Sequence, residues 1–198
     1  MYSDSYSSSF DPSGMIAGLV GGGFFLGFVI FFFVFFTFFL VLLLLQTIAL
    51  YKMAQKVNHP YAWLAWIPIA NSYVMATIPS KPFDLISPTF LGGKCHVEDR
   101  NKFGIYYLIF LFAPSILSMV LGVLSVIPVI GYLIAFLSTL FYLAYFILTY
   151  IVMYQIYKDL YDVFEDTQNT TMMSILSIIF PIIIPFYMFI LSKKVPLQ

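Results

Sequence analysis

The chain has 198 residues, 62% of them hydrophobic and 9% charged, with nine basic and nine acidic side chains. Soluble domains carry about 25% charged and about 45–50% apolar residues, so a soluble fold of this length could not hide this much apolar surface. Soluble enzymes and disordered tails are excluded, as is a secreted disulfide scaffold, because Cys95 is the only cysteine; a formal net charge of zero leaves no basic footprint for nucleic acid. The composition predicts an all-α polytopic integral membrane protein whose first partner is the lipid bilayer. Eight lysines against one arginine, with abundant Phe, Ile and Tyr, suit an AT-rich bacterial or phage genome.

Residues 1–13 form a polar Ser/Tyr-rich tail with Asp4 and Asp11 and no cation, too poor in apolar surface to fold alone. Residues 14–198 read as one transmembrane domain. No secretory signal pattern opens the chain, so the first apolar segment is expected to stay in the membrane. That segment, Met15 to Leu50, is uncharged. As one helix its 36 residues would be about 54 Å long against a hydrocarbon core of about 30 Å. Glycines weaken its early part, which places the span near 24–46 with a helical extension to about Lys56. Ten of the sixteen residues from Phe24 to Phe39 are Phe, so this helix is apolar all round.

Residues 60–80 are long enough to span but are interrupted by Pro60, Pro68, Asn71 and Pro79 and carry two Trp and two Tyr. Tryptophan and tyrosine favour the headgroup level, and Pro68 frees carbonyls that lipid cannot satisfy. A re-entrant or interfacial segment is expected. Residues 81–102 form a charged loop. Further spans are expected at 103–127, 129–153 and 172–191, the middle pair joined by a tight turn. A polar helix stub follows at 154–166, with Ile156, Leu160 and Phe164 on one face and Lys158 able to pair with Asp162 at i, i+4. The last run contains Pro181 and Pro185.

Cations flanking spans prefer the cytoplasm. If 60–80 does not cross, seven basic residues lie inside and only Lys193 and Lys194 outside; if it crosses, the better orientation gives four against five. The expected topology is therefore four spans in the inner membrane, both termini outside, with loop 81–102 cytoplasmic. Lys193 and Lys194 would move inside if the last segment were re-entrant.

Gly14, Gly18 and Gly22, and separately Gly23 and Gly27, have the small-xxx-small spacing that lets helices approach closely, or else mark a poorly helical start. Stretch 62–82 resembles a family of uncharacterised small bacterial and phage membrane proteins. Its carriers are Lys56, Ala65, Trp66, Ile67, Pro68, Asn71, Tyr73, Lys81 and Pro82. The last run also resembles that family's C-terminal segment, but Phe164-Glu165-Asp166 stands where the family shows Phe-Gly-Lys. The resemblance implies a membrane topology and no activity. Pro68, Asn71 and Tyr73 are the candidate structural or ligand site, Asn71 because its amide can brace the broken backbone.

Cys95, His96, Glu98 and Asp99 are too few and too poorly spaced for zinc, and no cofactor site is expected. No ionisable residue falls inside the expected spans, which argues against proton relays and intramembrane proteolysis. The serines at 115, 118, 125 and 138 read as helix-packing contacts. Lys94, Glu98, Asp99, Arg100 and Lys102 are candidate docking residues. The function expected is a non-catalytic scaffold, accessory subunit or interaction protein with a protein partner or a homo-oligomer; the alternative is a small oligomeric transporter or channel.

Overall fold

Inside hydrocarbon a backbone has no water to bond, so an apolar chain resolves into helices that satisfy themselves. The computed structural model describes residues 12–85, 95–124, 128–165 and 167–197. In order the elements are α1 (Pro12–Lys56), a single 3-10 turn (Ala62–Trp66), α2 (Ala70–Thr77), β1 (Phe83–Leu85), β2 (Cys95–Val97), α3 (Arg100–Leu124), α4 (Pro128–Asp162), α5 (Thr167–Ile179) and α6 (Ile183–Leu191). Three helical stretches are long and apolar enough to cross a membrane: Gly23–Lys56, Arg100–Val123 and Gly131–Asp162. Among the described residues the regular structure is helical apart from one short antiparallel strand pair, β1–β2, with Asp84 opposite His96.

The chain divides into two units, residues 1–42 and 43–198. In the first, α1 is already helical at Pro12 and runs unbroken through the glycine stretch. Proline suits the first helical position, where its missing N–H is not needed. From Phe24 to Val41 nearly every side chain is exposed, with Phe31 stacked on Phe35 and Phe32 on Phe36. A Cβ added at Gly23 or Gly27 would meet nothing within 4 Å, so neither glycine marks a helix contact within the described residues. Of Gly14, Gly18 and Gly22 only the helical backbone is described. The tail 1–11 and Lys94 lie outside the described residues.

In the second unit α1 ends where Asn58 turns left-handed (φ 53°). Its N–H reaches the Gln55 carbonyl at 3.0 Å and that of His59 reaches Ala54 at 2.9 Å, the paired closure of a Schellman cap. The 3-10 turn follows with Trp63 and Trp66 exposed, and α2 then crosses α3 at Gly104. A Cβ there would stand 2.5 Å from the Thr77 methyl and 2.7 Å from the Tyr73 ring. Glycine is what lets α2 lie this close. Asp99 caps α3, its carboxylate accepting the Asn101 N–H at 2.9 Å.

Pro114 inside α3 cannot donate to the carbonyl four residues back, that of Phe110. The Tyr145 hydroxyl on α4 donates to that carbonyl at 3.0 Å, and the Phe110 and Tyr145 rings lie 4.7 Å apart. The Ser118 and Ser138 hydroxyls donate to carbonyls of their own helices, Ser115 and Ala135. Ser125 lies outside the described residues.

The run 172–191 is not one continuous helix. It breaks at 180–182 into α5, 13 residues and about 20 Å long, and α6, nine residues and about 14 Å long, each short of the core thickness. The chain then turns back. Lys194 meets Glu165 at 2.9 Å, and the Leu197 N–H donates to the Val163 carbonyl at 2.8 Å. Both ends of the α5–α6 hairpin therefore sit beside the end of α4. Segment 60–80 behaves alike, starting beside the end of α1 and returning to Lys81, which reaches Asp159 and Asp162.

The apolar core gathers at that end, with Leu50, Met53, Val74, Phe83, Phe164, Met188 and Leu191 fully or almost fully buried. Ile156 and Leu160 join them there. Farther along, Ile109, Ile116 and Val123 on α3 and Leu133 and Leu143 on α4 point outward.

Replacing Gly104 by Ala forces α2 off α3 and should cost about 1–3 kcal/mol. Gly27→Ala, with open space around it, should cost nothing. Thermal unfolding of both variants in mild detergent, followed by circular dichroism, separates them.

Candidate functional site

The densest polar chemistry lies where α2, the hairpin, α3 and α4 meet. Arg100 opens α3 and is 6% exposed; Asp159, on α4, is 2% exposed. An isolated charge at such burial is prohibitive, so each requires a partner. Arg100 Nη1 donates to Asp159 Oδ2 at 2.9 Å, and its Nε donates to the Ala76 carbonyl at 2.6 Å. The guanidinium lies 5.2 Å from the centroid of the Phe83 ring and 5.1 Å from that of Phe103, two rings stacked 3.7 Å apart. Aromatic faces attract a desolvated cation, which suits Nη2, buried without a hydrogen bond among the described residues.

The other oxygen of Asp159 takes Lys81 Nζ at 3.1 Å and Gln155 Nε2 at 2.9 Å. Lys81 also reaches Asp162 Oδ2 at 3.1 Å, and the Thr170 hydroxyl donates to Asp162 Oδ1. Burial would lower the Lys81 pKa, but Asp159 and then Asp162 outweigh it, leaving the ammonium above the ordinary lysine value. A small cavity of about 150 Å³ opens beside Lys81, Asp159 and Asp162, floored by Ile78, Val163 and Leu197.

A second polar cluster ties down the chain's end. Glu165 accepts the Tyr187 hydroxyl at 2.6 Å and the Lys194 ammonium at 2.9 Å. Lys56 donates to the Lys194 carbonyl at 2.6 Å, drawing the end of α1 into the same corner. The Tyr187 hydroxyl, then Lys194, hold the Glu165 carboxyl below its ordinary pKa.

Several sequence expectations change here. Arg100 is no surface docking residue, because its side chain is buried on Asp159. Asp162 pairs with Lys81 and Thr170 rather than with Lys158. Glu98 and Lys102 are exposed, and Asp99 is also exposed while spending one oxygen on the α3 cap. Pro68 is exposed. The break at 67–70 is spanned by the Asn71 backbone N–H, 2.8 Å from the Ile67 carbonyl, while the Asn71 side chain only accepts Ser72 at 3.4 Å. Tyr73 is buried against Gly104, its hydroxyl 3.4 Å from Asn101. His96 pairs across the hairpin with Asp84 at 2.5 Å, and no group of three or more potential metal ligands occurs among the described residues.

Asp159 was missed as a centre, although a signal was present. It lies seven residues after Val152 and three after Ile156, so it falls on the apolar stripe of α4. A lone carboxylate on such a stripe demands a buried cation.

No family model matches this chain, and neither the curated proteins nor the solved structures yield a match to it.

Asp159→Ala strands the Arg100 guanidinium and should cost about 3–5 kcal/mol, well beyond the loss for Asp162→Ala, whose partner Lys81 is half exposed. Denaturant or thermal titration in detergent measures both. Glu165 contributes stability that is complete above its unfolded value of 4.5 and is lost as pH falls through its lower folded value. Hydrogen-exchange protection at 192–197, relative to the intrinsic rate at each pH, should therefore begin to fall below about pH 4.5 in the wild type and be low already at neutral pH in Glu165→Ala.

Proposed function

We propose that the chain is a non-catalytic, three-span membrane component that presents a rigid, basic-side platform to a protein partner. One observation carries this reading. Both interrupted segments, 60–80 and α5–α6, begin and end at the same face of the second unit, where ion pairs hold Lys81 and Lys194 to Asp159, Asp162 and Glu165 at the end of α4. The charged groups are spent largely on internal structure, which fits a scaffold better than a reaction centre.

The same observation revises the charge arithmetic. With the last segment folded back, the basic residues flanking α1, α3, α4 and α6 all fall on one side, nine against none. That distribution favours a cytoplasmic basic face, an outside N-terminus and a C-terminus inside, in a bacterial inner membrane. Glu98, Asp99 and Lys102, exposed on that face, are the docking candidates, and the partner is then cytosolic or a second copy of the chain.

A second reading, a small oligomeric transporter or channel, draws on a cavity of about 460 Å³ between α3, α4, α5 and α6. Pro114, Tyr145, Thr149, Tyr157, Ser177 and Pro181 are among its walls. Broken helices beside a cavity are the usual frame of transporter sites. Solute flux through reconstituted liposomes separates the two readings, since a scaffold gives none.

Membrane-impermeant maleimide tests the topology. Cys95, and Leu197→Cys in a Cys95→Ser background, should both label only after lysis. Labelling of Leu197→Cys in intact cells alone would restore a fourth span, and labelling of both would mean either that 60–80 crosses or that the orientation is inverted.

A further inference from the structure

His59 lies between the cap of α1 and the 3-10 turn, and its hydrogen bonds determine its protonation. The Thr77 hydroxyl donates to the Tyr73 carbonyl at 2.8 Å, the ordinary i−4 bond of a helical threonine. A hydroxyl has one proton to give. Its contact with His59 Nε2 at 2.9 Å must therefore run the other way, from an Nε2–H into the Thr77 oxygen. On the far side of the ring the Tyr61 backbone N–H points at Nδ1 at 3.2 Å, so Nδ1 carries a lone pair. Both nitrogens are satisfied by one species, the neutral Nε2–H tautomer. A proton added at Nδ1 would face the Tyr61 N–H, donor against donor.

Among the described residues no anion offsets the burial of the ring. The neighbouring titratable groups are Tyr61, its ring 6.2 Å away on the same stretch, and Tyr73 on α2, 6.4 Å beyond Tyr61. Asp99 before α3 acts on Tyr73, and Lys56 on α1 is committed to the Lys194 carbonyl. Among the described residues no carboxylate hydrogen-bonds the His59 ring. Half-burial pushes its pKa below the ordinary 6.5, whereas the Asp84 contact, first as a hydrogen bond, raises that of His96.

We propose that His59 is a protonation-controlled latch: the neutral ring holds the 3-10 turn against α2, and a proton releases it. The turn so released carries Trp63 and Trp66, both exposed and the only tryptophans in the chain. Thr77 also packs at the Gly104 crossing, so the latch bears on the seat of α2 against α3. Since the folded ring resists protonation, the latch is intact above pH 6.5 and weakens progressively as pH falls below it.

Histidine-selective ¹³C labelling of the full-length protein in lipid nanodiscs gives two ring signals, assigned with His96→Gln. The expected result is an Nε2–H tautomer for His59 at neutral pH, His59 titrating below 6.5 and His96 above it. Tryptophan emission should shift with the His59 midpoint, persist in His96→Gln and become flat with pH in His59→Gln, whose amide can donate to Thr77 and accept from Tyr61. An Nδ1–H tautomer, a His59 midpoint at or above 6.5, or an emission change that survives in His59→Gln would overturn the proposal. The titration of the unsubstituted protein decides the matter if His59→Gln does not fold.

Discussion

The buried pair between Arg100 and Asp159 is the constraint around which the second unit is built. Neither group tolerates loss of water without the other, and the remaining donors of the guanidinium need partners in fixed directions. Those directions select the Ala76 carbonyl on α2 and the stacked rings of Phe83 and Phe103. One side chain thereby sets the positions of four elements. Lys81 and Gln155 complete the carboxylate's shell, so the cluster specifies which segments meet more than it adds net stability.

Folding both proline-broken segments back to that end solves a second problem. A helix interrupted in hydrocarbon leaves carbonyls and N–H groups without partners. Residues 66–69 and 179–182 at the breaks are exposed, so nearby backbone supplies the partners. The Ile67 carbonyl takes the Asn71 N–H, and the Pro181 carbonyl takes that of Ile184. The polar groups that close the two segments, Lys81 on one and Glu165 with Lys194 beside the other, then gather beside the end of α4.

Apolar length made α1, α3 and α4 legible in the sequence, with α3 and α4 starting within three residues of the expected positions. The buried face of Ile156, Leu160 and Phe164 was also readable from spacing. The fold-back of α5–α6 was not, because prolines are tolerated inside spanning helices and only the tertiary bonds of Glu165 to Tyr187 and Lys194 reveal that the chain returns to the end of α4. Arg100 read as one charge among several in a loop, since nothing local reveals that its partner lies 59 residues away. Gly104, isolated from the glycine-rich stretch, gave no periodic signal; its role emerges only where Tyr73 and Thr77 approach it.

The hydroxyl of Tyr145 on the Phe110 carbonyl has a mechanical consequence. A carbonyl freed by a proline is a single polar mark on an otherwise smooth apolar rod. Sliding α4 by one helical turn, about 5.4 Å, would carry the phenol away and leave that mark bare in hydrocarbon. The two longest-packed helices are thus indexed to one axial position, and shear between them is blocked where grease alone would permit it.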